Sequence, residues 1–186
     1  MRVISGSAKG INLYSVPGKS TRPITDQVKE ALFNIIGHDM EGRLFLDLFG
    51  GTGAVGIEAL SRGAEHAVFL EINYHAFKII EKNLQKTQLE TWATLIKKDA
   101  FVYLQELPKH AFDYVYIAPP QYKSIWSKAL QALDENPNWV KPGETVIVQI
   151  HPKEFVEGLI YSNFSEYDRR TYGDTMLIFY ERSSRK

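Results

Sequence analysis

LFLDLFGGTGAVGIEALSR, residues 44–62, reads as an apolar strand, a glycine-rich turn and an apolar helix in direct succession. Strands buried on both faces show near-continuous apolar runs, as LFLDLF (44–49) does, and such strands belong to parallel sheets. The same alternation continues downstream. HAVFLE (66–71) is a second strand, with a helix through HAFKIIEKNL (75–84). ATLIK (93–97) is a third, with a short helix near AFVYLQEL (100–107). FDYVYIA (112–118) is a fourth, with a helix over IWSKALQAL (125–133), and ETVIVQI (144–150) is a fifth. The ending differs: FSEYDRRTY (164–172), a Gly173-Asp174 turn and TMLIFYE (175–181) predict an antiparallel hairpin. The expected fold is α/β, a Rossmann-like, mostly parallel sheet closed by a C-terminal antiparallel hairpin.

Upstream of the first strand, RVIS, GSAKG and INLYS predict two short strands around a glycine-rich turn. Thr25 is a candidate helix cap, followed by Val28, Ala31, Leu32, Ile35 and Ile36 at helical spacing. The organisation expected is a small N-terminal extension over 1–24 and one domain over 25–186.

Composition narrows the function classes. The 186 residues carry 22 basic and 22 acidic side chains, so the formal net charge is zero. No apolar run approaches the roughly 20 residues that span a bilayer. MRVISGSAKG has no apolar core of a leader peptide, so a cytoplasmic protein without membrane attachment is expected. The absence of cysteine excludes disulfides and thiolate chemistry. No two of the five histidines share a metal-binding spacing, so no metal is expected. Nothing signals an obligate oligomer, and a monomer is expected. Zero net charge hides an uneven distribution. Residues 1–25 hold Arg2, Lys9, Lys19 and Arg22 and no acid, leaving 18 basic against 22 acidic side chains in the remainder. A basic arm therefore precedes a mildly acidic body, and Lys9, Lys19 and Arg22 are candidates for contacting nucleic-acid phosphates.

Gly51, Gly53 and Gly56 form a G-x-G-x-x-G loop between strand and helix, with Gly50 just before it. Such a loop lets the backbone approach a ligand closely. Glu71 ends the second strand, where an acid can bind a ribose diol. This spacing alone leaves NAD and S-adenosylmethionine (SAM) both open. Asp47 decides between them, because a carboxylate beside the loop repels a pyrophosphate but attracts a sulfonium and an ammonium group. Asp99 follows the third strand, placed to accept from an adenine amine while Ala100 offers its backbone N–H. The step after the fourth strand, Ala118-Pro119-Pro120-Gln121-Tyr122, presents carbonyl acceptors without competing N–H donors. That arrangement suits a substrate amine, with Tyr122 available to stack on a base.

These motifs resemble class I SAM-dependent methyltransferases. More narrowly, RVISGSAKG, TRPITDQVKEALFNII (21–36), LDLFGGTGAVGIEALSRGA (46–64) and YGDTMLIFY (172–180) resemble the RsmD family, which methylates a guanine N2 amine of 16S ribosomal RNA. The resemblance spans nearly the whole chain. It implies a seven-stranded sheet, SAM as methyl donor, and ribosomal RNA or the small subunit as partner. It also implies a cofactor site of Asp47, Gly50, Gly51, Gly53, Glu71, Ile72, Asp99 and Ala100. Ala118, Pro119, Pro120 and Tyr122 take the catalytic positions, and Lys9, Lys19, Arg22 and Gln121 the substrate positions. One departure stands at the catalytic step. The family pattern is Asp/Asn-Pro-Pro-Tyr/Phe, whereas here Ala118 removes the acceptor side chain and the aromatic falls one position late. A catalytically weakened SAM- or RNA-binding protein of ribosome assembly, or a methyltransferase for DNA or protein amines, are the competing readings. An NAD-dependent dehydrogenase is a more distant one.

Overall fold

The computed structural model describes residues 1–17, 23–37, 40–121 and 124–184. Seven strands form one sheet in the order β3-β2-β1-β4-β5-β7-β6. They are β1 (Leu44–Asp47), β2 (His66–Leu70), β3 (Ala93–Ile96), β4 (Phe112–Ile117), β5 (Val140–Ile150), β6 (Phe164–Tyr172) and β7 (Thr175–Arg182). β1 to β5 run parallel, while β7 inserts antiparallel between β5 and β6. The expected sheet and terminal hairpin are both present. β5 starts four residues earlier than its apolar run. Lys141-Pro142-Gly143 bulges out between the pairs Phe112–Val140 and Tyr114–Thr145, and the Pro-Gly step hid that continuation.

Five helices cover the two faces: α1 (Asp26–Ile36), α2 (Ala54–Ser61), α3 (Tyr74–Thr87), α4 (Ala100–Leu104) and α5 (Ile125–Glu135). Successive strand residues point to opposite faces, which divides the core in two. Phe45, Phe69, Tyr114 and Tyr116 pack with α1, α2, α3 and the N-terminal residues. Leu46, Leu48, Val115 and Ile117 pack with α4 and α5. α3 turns Ala76, Ile80 and Leu84 inward at i, i+4, i+8, and α5 does the same with Trp126, Ala129, Leu130 and Leu133. α2 is buried along its entire length, including Glu58. Gly56 permits its close approach to β2, since a Cβ there would lie 2.3 Å from Phe69.

The N-terminal residues pair antiparallel around one isolated bridge, Arg2 with Asn12, too short to make two named strands: Val3 N donates to Ile11 O, Gly10 N to Val3 O and Leu13 N to Met1 O. Other backbone groups of the segment turn to α2. Ile4 N and Ser5 N donate to the two oxygens of Glu58 at 2.9 and 3.0 Å. Ala8 N donates to Ser61 Oγ, which in turn donates to Ser5 O. Side-chain acceptors on the neighbouring helix thus satisfy amides that this short pairing leaves over. Thr25 caps α1 by accepting from Val28 N, as its sequence position predicts.

Candidate functional site

The strand order reverses between β1 and β4, and open α/β sheets bind ligands beyond the carboxyl ends of strands at such a point. A cleft of about 370 Å³ lies there. It is lined by the loops after β1, β2, β3 and β4, by the end of β5 and by Asp174-Thr175, with Val16, Pro23 and Ile24 of the N-terminal part along one wall. Its size suits a small-molecule cofactor.

The glycine loop is held from both sides. Gly50 N donates to Leu70 O and Gly53 N to Gly50 O, both at 2.7 Å. Gly53 caps α2 in the left-handed region at φ 77°, which a side chain would strain. Glu71 accepts from Gly51 N at 2.9 Å and from Asn73 N at 2.7 Å, tying the end of β2 to the loop after β1. Ile72 stands 63% exposed on the rim beside it. Asp99 caps α4 through Oδ1, accepting from Phe101 N and Val102 N, so its Oδ2 takes neither bond. Ala100 is the first residue of that helix.

Asp47 is 1% exposed, and its Oδ1 is the buried side-chain polar atom without a partner among the described residues. Burial pushes its carboxyl up to about 7, against a backbone bond from Phe49 that pulls it down, and the Glu71 charge adds to the rise. Beside it, burial and then the Asp47 charge hold the Tyr116 hydroxyl well above its ordinary value, and that hydroxyl donates to Gln149 Oε1. Four carboxylates, Asp47, Glu71, Asp99 and Asp174, line the cleft. The one lysine among the described lining residues, Lys98, is paired with Glu106 at 2.5 Å. An unpartnered buried carboxylate in an anionic cleft fits a cationic, hydrogen-bond-donating ligand and opposes a pyrophosphate.

The loop after β4 brings Ala118, Pro119, Pro120 and Gln121 to the same cleft. Tyr122, Lys19 and Arg22 lie outside the described residues. Lys9 sits elsewhere, in the turn whose neighbours Ser7 and Ala8 bond to Ser61 at the far end of α2. That is roughly 10 Å along the helix from the cleft-lining Ala54 and Val55. Arg2 is engaged by Asp26, Nε to Oδ2 at 3.2 Å, so the first cation of the basic arm is paired.

Asn83 escapes the motif reading. It is fully buried on α3, where Oδ1 accepts from Tyr14 N at 2.7 Å and Nδ2 donates to Tyr14 O and Thr52 O at 3.1 and 2.9 Å. One side chain thereby joins the N-terminal segment to the glycine loop. The available signal was an amide on the Ala76-Ile80-Leu84-Thr87 face of an otherwise amphipathic helix. Gln149 and Asp174, also in the cleft, read from sequence only as a strand residue and a turn residue.

A family model described as Conserved hypothetical protein 95 matches residues 1–181. The Bacillus subtilis protein YlbH is 37% identical over 184 residues, covering 98% of this chain and 99% of its own. The ribosomal RNA small subunit methyltransferase D of Haemophilus influenzae is 33% identical over 151 residues, 80% of this chain and 78% of its own. Among solved structures, the Escherichia coli protein yhhF superposes with a TM-score of 0.84 at 29% identity, covering 100% of this chain and 99% of its own. An RNA methyltransferase from Salinibacter ruber, crystallised with S-adenosyl-L-homocysteine, shares the fold at a TM-score of 0.68 and 16% identity, covering 89% and 96%.

Proposed function

The chain belongs to the Conserved hypothetical protein 95 family, the RsmD family of the sequence resemblance, and on that premise we propose that it methylates the exocyclic N2 amine of a guanine in small-subunit ribosomal RNA, with SAM as donor. The observation carrying this reading is the buried, unpartnered Asp47 Oδ1 at the mouth of the glycine loop. Relatives named as small-subunit rRNA methyltransferases supply the substrate class. Among the described residues no helix is long and apolar enough to cross a membrane and no cluster of potential metal ligands occurs. The reading places the protein in the cytoplasm, with the ribosomal subunits it modifies.

When bound, SAM supplies a methyl group activated by its sulfonium. Asp47 and Glu71 offer the negative charge that holds its cationic portion and its ribose, while Gly50, Gly51 and Gly53 keep the backbone close. Ile72 provides an apolar rim, and Asp99 with Ala100 the acceptor and donor for the adenine edge. On the substrate side, the carbonyls of Ala118 and Pro119 accept from the guanine amine, holding it in the pyramidal, nucleophilic form. Gln121 contributes an amide to the same wall. Tyr122 stacks on the base, which must leave its helix or already be unpaired. Water takes the departing proton.

The test is transfer of labelled methyl from SAM to small subunits or rRNA lacking the modification. Transfer to a guanine N2 is expected. Absence of transfer, with SAM binding intact, overturns the enzymatic reading in favour of the weakened binding protein that Ala118 motivates. The two separate further on Ala118→Asp: a large gain from near-zero activity marks a decayed site, and an unchanged or lower rate marks a working variant.

Asp47 adds a pH dependence. Its folded carboxyl is raised to about 7 from an ordinary 3.8, so its stability contribution to the ligand-free protein is present at low pH and lost as pH rises towards 7. Cofactor binding responds in the opposite sense, because the charged form is the one that attracts a cation. SAM affinity measured by calorimetry should rise roughly tenfold between about pH 6 and pH 8 and then level off. Asp47→Asn should bind more weakly and lose that step relative to the parent. An identical profile in the variant contradicts the assignment.

A further inference from the structure

Dividing the charge at residue 25 misses a second basic region inside the body. Residues 72–98 hold five lysines against two glutamates, in a chain whose total is zero. The structure places four of them on one surface, while Lys98 lines the cleft and pairs with Glu106. Tyr74, Lys78, Lys82 and Lys86 follow one another at i, i+4 along α3, so each is a surface neighbour of the next. Lys78 is neutralised by Glu81 at 2.7 Å. Lys82 has no such pairing, and two other lysines cover exposed tyrosines. Lys97 Nζ lies 4.9 Å from the Tyr74 ring centroid and Lys86 Nζ 4.3 Å from that of Tyr14. The two rings are 55% and 49% exposed. Tyr14 is fixed there by the Asn83 bonds to its backbone, which bring the N-terminal segment against α3. The upper end of this stripe adjoins Ile72 and Asn73 on the cleft rim, and the lower end lies roughly 18 Å away along the helix.

We infer that this stripe, from Tyr74 and Lys97 to Tyr14 and Lys86, is a track for single-stranded RNA leading to the cleft. The inference rests on the rRNA methyltransferase reading and names where its substrate runs. Lys82, Lys86 and Lys97 meet phosphates, and Tyr74 and Tyr14 serve as stacking platforms. An ammonium over an exposed ring is a weaker guest than a stacked base, so an arriving base displaces the lysine head towards the phosphate beside it. The lining of the cleft supports the same route. Its four carboxylates repel phosphate and its one lysine among the described residues is already paired, so the backbone must be held outside while a base alone enters.

The test compares the full-length protein with Lys82→Gln/Lys86→Gln/Lys97→Gln and with Tyr74→Ala, binding a fluorescein-labelled single-stranded rRNA segment. A control triple variant, Lys109→Gln/Lys128→Gln/Lys153→Gln, loses the same charge at exposed positions outside the stripe. Three phosphate contacts on a single strand contribute about 2 to the salt slope, so raising salt from about 50 to 200 mM should weaken the parent roughly 20-fold more than the stripe variant. The control should keep the parental slope. Tyr74→Ala should weaken binding about 5- to 100-fold while leaving the slope unchanged. A stripe variant with the parental slope overturns the track. A reduced slope together with no Tyr74 effect also overturns it, leaving an anion-binding face suited to an acidic protein. Failure of the parent itself to bind the RNA, with SAM binding intact, counts against the rRNA reading as a whole.

Discussion

Glu58→Ala is expected to lower the melting temperature by roughly 6–20 °C, corresponding to about 3–5 kcal/mol for breaking a buried pair in a domain of this size. The carboxylate and the Lys29 ammonium are both 0% exposed and 3.2 Å apart. The same carboxylate accepts from Arg62 Nε at 2.8 Å and from the backbone of Ile4 and Ser5. Burial pulls the Lys29 ammonium below its ordinary value, and Glu58 is the group that pushes it back up. Without Glu58, Lys29 keeps the desolvation cost and loses the compensating charge. Lys29→Met/Glu58→Leu should recover only part of the loss, because the Ile4 and Ser5 amides and the Arg62 guanidinium would still lack their acceptor. Thermal melts monitored by circular dichroism distinguish these outcomes. A drop under about 2 °C for Glu58→Ala would place the pair among ordinary surface bridges and contradict its burial.

Asn83→Leu is expected to cost about 3–5 kcal/mol and to weaken SAM binding by tenfold or more, although Asn83 does not line the cleft. The substitution keeps the branched shape at a larger volume but leaves Tyr14 N, Tyr14 O and Thr52 O without their side-chain partner, at about 1–3 kcal/mol for each well-buried group. Thr52 belongs to the glycine loop, so the loss reaches the cofactor as well as the fold. Calorimetry at a temperature where the variant is fully folded separates the two effects. Reduced stability with unchanged SAM affinity would show that the Thr52 bond does not position the loop.

How far the sequence anticipated this architecture depends on whether the signal was local. The parallel strands announced themselves through apolar runs, and the glycine loop, Thr25 and Asp99 through short patterns with a defined geometric purpose. The resemblance implied seven strands but not their order; the place of β7 between β5 and β6 comes from the structure. Less legible were the groups whose partners are distant in sequence. Glu58 reads as an unremarked acid in an apolar helix until Ile4, Ser5 and Lys29 arrive from outside it. RVIS and INLYS look like strands because their residues favour strands, and they do pair, but only briefly around the Arg2–Asn12 bridge. Side chains of α2 supply acceptors for the next amides, and no propensity records that contribution. The charge pattern misled in a similar way. Splitting it along the chain drew attention to the N-terminal cations, while folding pairs Arg2 with Asp26, lines up Lys78, Lys82 and Lys86 on α3 and brings Lys97 beside Tyr74.

The bonds from Tyr14 to Asn83 span 69 residues, and those from Ile4 and Ser5 to Glu58 span 54 and 53. During synthesis residues 4–14 therefore emerge before Glu58 and Asn83, which hold them. At about 5–20 residues per second, some 3–14 seconds separate the making of Tyr14 from the making of Asn83. Through that interval the opening segment waits without its partners, and MRVISGSAKG suits the wait: short apolar stretches broken by glycine, serine and two cations offer little to a passing strand edge. The segment that Asn83 ties to the glycine loop is made 69 residues before the side chain that ties it.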